Sequence, residues 1–216
     1  GDAMLIESCR LVSKSQEKMG VTGVLDLFLK TAMDVCEGQS LDMSFEQLEE
    51  VGLDEYLNMI RLKTSVLLGC AFQMGAKLAH QSEEVSEKLY ELGTTLGIGF
   101  QIHDDWLDFY GDLQLTGKVK GGDILKKKKS ALILAALEAT EEDQKKVLLD
   151  AYHEDHPDKL ETIEFRFSQL GIKEKVNEMY LAYKKKCFDM IENLPLNEAQ
   201  KSRLIEFVIL VLERRN

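Results

Sequence analysis

At 216 residues the chain is long enough for one domain with a sizeable core, and its balance of 44% hydrophobic and 30% charged residues excludes disorder as the default state. A formal net charge of −11 argues against a general nucleic-acid binder. No 18-residue apolar run is present to span a membrane, the start Gly1-Asp2-Ala3-Met4 has no signal-peptide features, and Cys9, Cys36, Cys70 and Cys187 are scattered like the reduced thiols of a cytoplasmic protein.

Taken in chain order, the predicted elements are all helical. Apolar spacing of three and four residues predicts helices over Ala3–Lys18 and Gly23–Glu37, and a short one over Phe45–Glu50. A long helix follows over Asp54–His80, apolar around much of its circumference (Tyr56, Ile60, Val66, Leu67, Cys70, Met74, Leu78) as in a rod buried inside a bundle. Another spans Ser82–Tyr110, then Ile124–Ala139, Glu141–His153, Pro157–Leu170, Lys173–Asn193 and Glu198–Arg215. Thr140 with Asp143 and Asn197 with Gln200 have capping-box spacing, and Gly20, Gly52 and Gly171 stand where a left-handed residue closes a helix. The only prolines, Pro157 and Pro195, lie near helix starts, and no strand-length alternation or hairpin dipeptide is visible. The sequence therefore predicts one all-α domain over residues 1–216.

The last turns of the Ser82–Tyr110 helix hold the most informative pattern, Gln101-Ile102-His103-Asp104-Asp105-Trp106-Leu107-Asp108. At 100° per residue, Gln101, Asp104, Asp105 and Asp108 fall within an arc of about 100°. Clustered carboxylates repel one another and cost desolvation, so a packed helix gathers them to hold a cation, and oxygen ligands of this kind suit Mg²⁺ with a substrate phosphate. Lys63-Thr64 lies mid-helix among apolar neighbours, where its ammonium either snorkels to solvent or serves an anion. Gln101 is either a site residue or an ordinary buried amide. His103 points away from Gln101 and reads as a core or supporting imidazole. The His103-Asp104 pair of a metal phosphohydrolase would need further upstream histidines, and only His80 is available. Just downstream, Thr116-Gly117-Lys118-Val119-Lys120-Gly121-Gly122-Asp123-Ile124 combines backbone freedom with positive charge next to a helix start, as phosphate contacts require. Lys126 to Lys129 run on into that helix, where at most two can face one site.

These residues resemble the second aspartate-rich motif of the trans-isoprenyl diphosphate synthases, the polyprenyl synthetase family that includes farnesyl and geranylgeranyl diphosphate synthases. Supporting matches are Gly1-Asp2-Ala3-Met4-Leu5, Glu37-Gly38-Gln39 with Asp42, Tyr56 with Lys63-Thr64, and Gly117-Lys118 with Gly122-Asp123-Ile124. The resemblance implies an orthogonal or antiparallel bundle of about ten helices around a central cavity. It implies Mg²⁺ held by Asp104 and Asp108, with Asp105 supporting them through solvent or a neighbouring group. It assigns the allylic diphosphate to Lys63, Lys118 and Lys128, and the place where the allylic cation develops to Thr64 and Gln101. The substrates implied are an allylic diphosphate and isopentenyl diphosphate, and the assembly a homodimer through the helices at Ala3–Lys18 and Gly23–Glu37. Two departures stand out: Lys127-Lys128-Lys129-Ser130 replaces the usual Gly/Asn-Lys-x-Thr, which makes Lys128 the matched lysine with Lys127 or Lys129 as alternatives, and an extra residue lies beside Val119-Lys120, which would shift Lys118 slightly. The family's first aspartate motif belongs upstream of the Gly-Asp-Ala segment, so the N-terminal helices are expected to be missing and the chain alone to transfer little or no prenyl group. The rival readings are a terpene cyclase-like diphosphate lyase and a non-catalytic scaffold subunit.

Overall fold

The computed structural model describes residues 1–48, 50–112 and 120–213, and among them it is helical throughout, without strands. The elements are α1 (Asp2–Met19), α2 (Val24–Phe45), α3 (Leu53–Ile60), a π-helical segment (Arg61–Ser65), α4 (Val66–Leu78), α5 (Glu83–Tyr110), α6 (Gly122–Leu125), α7 (Ala131–Ala139), α8 (Glu142–His153), α9 (Lys159–Gln169), α10 (Ile172–Glu192) and α11 (Glu198–Leu212). Counting α3, the π segment and α4 as one rod gives ten helices among the described residues, the number expected, although one expected helix is replaced by a turn and another is split in two.

Helix α5 is the axis of the bundle. It packs most extensively on α4 and α10 and also meets the π segment, α11, α7 and α6. Two glycines on α5 permit the closest approach: a Cβ at Gly93 would lie 2.7 Å from the Leu68 carbonyl, and one at Gly97 only 2.5 Å from Ser65 Cα. Leu92, Leu96, Ile102 and Phe109 of α5 are fully buried with Leu132, Ile133 and Leu134 of α7 and Ile172, Val176 and Ile191 of α10, in one continuous core.

Several expectations are corrected. Helix α2 does not stop at Glu37 but continues through Gly38 to Phe45, and among the described residues of the range Phe45–Glu50 no separate helix follows, a turn standing at Glu46 and Gln47. Gly38 survives inside the helix because it is buried against the backbone of Lys63, with which any Cβ there would collide. The Asp54–His80 rod is interrupted by the π segment, in which Val66 N–H reaches back to the Arg61 carbonyl. The expected Ile124–Ala139 helix splits at Lys126–Ser130, with Lys127 at a left-handed φ of 57°. Buried side chains take up backbone groups exposed by that break, since the Tyr152 hydroxyl donates to the Lys128 carbonyl at 2.7 Å and Ala131 N–H donates to Asp105 Oδ2 at 2.8 Å. The lysine run is therefore a loop and not a helical face. Thr140 forms no capping box; its hydroxyl donates back to the Ala136 carbonyl at 2.6 Å. The Asn197–Gln200 box is present, with both reciprocal bonds at 3.0 Å. Gly20 and Gly171 adopt left-handed φ values of 65° and 62°, whereas Gly52 is extended and opens α3 instead of closing a helix. The predicted end of the last helix at Arg215 lies outside the described residues.

Candidate active site

The end of α5 is fixed by one buried carboxylate. Asp105, 5% exposed, accepts from the Tyr56 hydroxyl at 2.6 Å and from Ala131 N–H on Oδ2, and from Gln101 Nε2 at 3.2 Å on Oδ1. It thus ties α5 to α3 and α7. Burial pushes its pKa up to about 6, against the Tyr56, Ala131 and Gln101 hydrogen bonds, which favour the charged form, while the nearby Asp123 charge adds to the rise. Burial and the neighbouring Asp105 charge likewise raise the Tyr56 phenol well above its ordinary range.

Helical geometry then places Asp104 and Asp108, one turn apart, on a cavity of about 710 Å³. Asp108 Oδ2 accepts from Asp123 N–H at 2.9 Å, and the Asp108 carbonyl accepts from Gly121 N–H at 2.7 Å, so this carboxylate caps the start of α6. The left-handed turn at Gly121, with φ 67°, lets the chain fold back to that position.

The π segment supplies the next wall. An extra residue in a helical turn changes which side chains face a neighbour, and such turns collect at functional sites. Here Lys63 and Thr64 both line the cavity. Thr64 Oγ1 lies 3.4 Å from Gln101 Oε1, and Lys63 Nζ is 2.5 Å from Asp42 Oδ2. From the loop after α6, Lys128 pairs with Asp123 at 2.8 Å, and that bond raises the Lys128 pKa.

The cavity therefore unites Lys63, Thr64, Gln101, Asp104, Asp105, Asp108 and Lys128 of the residues singled out in the sequence. Lys118 lies outside the described residues. His103 does not line the cavity; its ring stacks on Tyr180 of α10, the centroids 4.2 Å apart. Glu46, Asp123, Lys126 and Lys129 also line the cavity; the sequence assigns no role to Glu46 or Lys126, offers Lys129 only as an alternative to Lys128, and leaves Asp42, Tyr56 and Asp123 as bare motif matches. Asp123 had a visible signal in its place beside two glycines and the lysine run. The Asp42–Lys63 pair had none, because 21 residues separate its members.

Among the described residues six carboxylates and four lysines line this cavity, and their summed charge favours a cation before an anion. Among the described residues no group of three or more His, Cys, Asp or Glu side chains is arranged to hold a metal ion unaided. All three motif aspartates line the cavity, Asp104 and Asp108 one turn apart; Asp105 has both oxygens bonded to protein donors, and Asp108 accepts from Asp123 N–H on Oδ2. Two adjacent carboxylates at an open cavity fit a hard divalent cation that draws its remaining oxygens from a ligand and water.

Comparisons with known proteins bear on the family and the fold. A family profile described as polyprenyl synthetase matches residues 1–169. The geranylgeranyl diphosphate synthase of Methanosarcina mazei is 40% identical over 139 residues, covering 64% of this chain and 43% of that protein. The short chain isoprenyl diphosphate synthase of Methanothermobacter thermautotrophicus is 30% identical over 217 residues, covering 100% of this chain and 66% of the relative. A crystal structure of a geranylgeranyl pyrophosphate synthase superposes with a TM-score of 0.88 at 36% identity, over 100% of this chain and 68% of that one. The chain spans about half the length of several curated relatives it matches, at 43% to 46% of the first three.

Proposed function

Since this chain belongs to the polyprenyl synthetase family, we propose that its cavity binds an allylic diphosphate through divalent cations and takes part in extending it with isopentenyl diphosphate. One observation carries the reading: a single cavity is lined both by Asp104 and Asp108 and by Lys63 and Lys128. Asp104 and Asp108 would hold Mg²⁺, which when bound neutralises the diphosphate and makes it a better leaving group. Asp105 keeps both carboxylates aimed at the cavity through its bonds to Tyr56 and Ala131. Lys63 and Lys128 add fixed positive charge where the leaving group gathers negative charge, and Lys118 belongs with them on the sequence pattern. Thr64 and Gln101 present a hydroxyl and an amide oxygen whose dipoles stabilise positive charge on the allylic carbon. Met59, Ile60 and Phe45 give the cavity an apolar side that keeps water from that carbon. Attack by the isopentenyl double bond and loss of a proton, taken by the departing diphosphate, complete the chemistry without a protein nucleophile.

The same reading makes α1 and α2 the contact between two copies of the chain. No residue of α1 is buried, and Met4, Ile6 and Met33 are 74%, 69% and 69% exposed. Among the described residues no helix is long and apolar enough to cross a membrane. The free cysteines, two of them buried, suit a reducing cytoplasm.

The test is calorimetric binding of dimethylallyl, geranyl or farnesyl diphosphate to these 216 residues with and without Mg²⁺, beside product analysis with labelled isopentenyl diphosphate. Mg²⁺-dependent binding, with little extension by the chain alone, is expected. Absence of Mg²⁺-dependent binding would overturn the proposal.

A further inference from the structure

Lys63 reaches the cavity already bound to a carboxylate. Its ammonium lies 2.5 Å from Asp42 Oδ2, and both side chains line the cavity, 36% and 32% exposed. Backbone packing fixes the pairing. Gly38 lets α2 rest directly on the Lys63 backbone, and Asp42 follows one turn later on the same face, within reach of the lysine side chain. Glu46 follows one further turn along and also lines the cavity. An exposed pair assembled from flexible side chains contributes little to stability. One set by a backbone contact that admits only glycine and turned toward a ligand cavity has another use.

We propose that Asp42 is a positioning residue that acts as a removable counter-ion for Lys63: it holds the ammonium in place while the cavity lacks a diphosphate and takes it back when the diphosphate leaves. This inference rests on the diphosphate-binding reading and deepens it. A diphosphate oxygen that binds Lys63 must compete with Asp42 and approach the Asp42 charge. A bare diphosphate therefore meets a neutralised lysine in a cavity already rich in carboxylates. A diphosphate carrying divalent cations brings charge that Asp42 itself attracts, so the pair favours the metal-bound ligand over the free one. Asp42 also opposes retention of the released diphosphate, because it competes for Lys63 throughout.

Inorganic pyrophosphate, titrated calorimetrically into the intact chain with and without Mg²⁺, tests this. Asp42→Asn keeps the shape and removes the charge. It is expected to bind pyrophosphate about tenfold more tightly than the unaltered chain, or about 1.4 kcal/mol, with the larger gain in the absence of Mg²⁺. Lys63→Met is expected to weaken binding, and adding Asp42→Asn to it should produce a smaller gain, because no lysine remains to be released. A second measurement needs no ligand: the rate at which acetic anhydride labels Lys63, followed by mass spectrometry, is expected to rise in Asp42→Asn. A purely structural Asp42 would lower the melting temperature and leave the Mg²⁺ dependence of binding unchanged. Binding by the unaltered chain that Asp42→Asn leaves the same or weakens overturns the counter-ion role alone. Absence of binding with Mg²⁺ in the unaltered chain overturns it together with the reading on which it rests.

Discussion

Replacing Tyr56 by phenylalanine removes one oxygen atom and tests the anchor beneath the aspartates. That hydroxyl donates to Asp105 at 2.6 Å, in a place where the carboxylate is 5% exposed and water cannot take over the bond. Hydrogen bonds to charged groups contribute about 1.5–3 kcal/mol, and stranding a buried acceptor gives up the upper part of that range. Ala131 N–H and Gln101 Nε2 still donate to Asp105 in the variant, which limits the loss. Tyr56→Phe is therefore expected to destabilise the chain by about 2 kcal/mol, equivalent to about 4–8 °C in a chain of this size. Tyr152→Phe is the control: its hydroxyl gives a neutral bond to the Lys128 carbonyl at 2.7 Å and should cost only about 1 kcal/mol. Equilibrium urea unfolding in metal-free buffer measures both, with equal slopes required for the comparison. A loss below about 0.5 kcal/mol for Tyr56→Phe, or a larger loss for Tyr152→Phe, would refute the reasoning from charge-assisted anchoring.

Other expectations concern packing, charge and assembly. Gly97→Val forces a branched side chain against Ser65, where even a Cβ would be 2.5 Å from its Cα; a loss of about 3 kcal/mol or more in urea unfolding is expected, and a stable variant would contradict the close approach of α5. Burial, with the charges of Lys129, Lys127 and Lys159, lowers the His153 pKa below its ordinary 6.5. The unfolded chain thus takes up that proton at higher pH than the native one, so this part of the stability is present above pH 6.5 and is lost as pH falls below it. His153→Gln should flatten the dependence of stability on pH between about 5 and 7, and an unchanged slope would show that other groups set it. Met33→Glu together with Ile6→Glu puts charges on the exposed α1 and α2 face. Sedimentation velocity should report a dimer for the unaltered chain and a monomer for the variant, and an unaltered chain already monomeric would remove that interface from the account.

Much of this was legible in the sequence where periodicity spoke directly. Helix α5 was readable from the spacing of its apolar positions, and the aspartates followed from its phase. What escaped is non-local. The π segment at Arg61–Ser65 has no compositional mark; it is set by how Ser65 meets Gly97 and how Lys63 meets Gly38. Helix α2 ran past its expected end because burial of Gly38 outweighed a weak helix former, a tertiary effect that propensity cannot express. The lysine run at Lys126–Lys129 read as a helix by continuity, yet buried partners at Tyr152 and Asp105 stabilise a break there. Asp105 was grouped with the metal carboxylates by phase, since nothing local reveals that Tyr56, 49 residues earlier, and Ala131, 26 later, would hold its oxygens.

The central proposal is that Asp104 and Asp108 hold the cation at the edge of the lysine-lined cavity. Calorimetric titration of pyrophosphate into the chain, with Mg²⁺ and then with EDTA, measures that most directly when repeated on Asp104→Asn with Asp108→Asn. Mg²⁺-dependent binding is expected, which the double variant weakens by about a hundredfold, or about 2.7 kcal/mol, while its far-ultraviolet spectrum stays helical. Mg²⁺-dependent binding of equal strength in the double variant would contradict it.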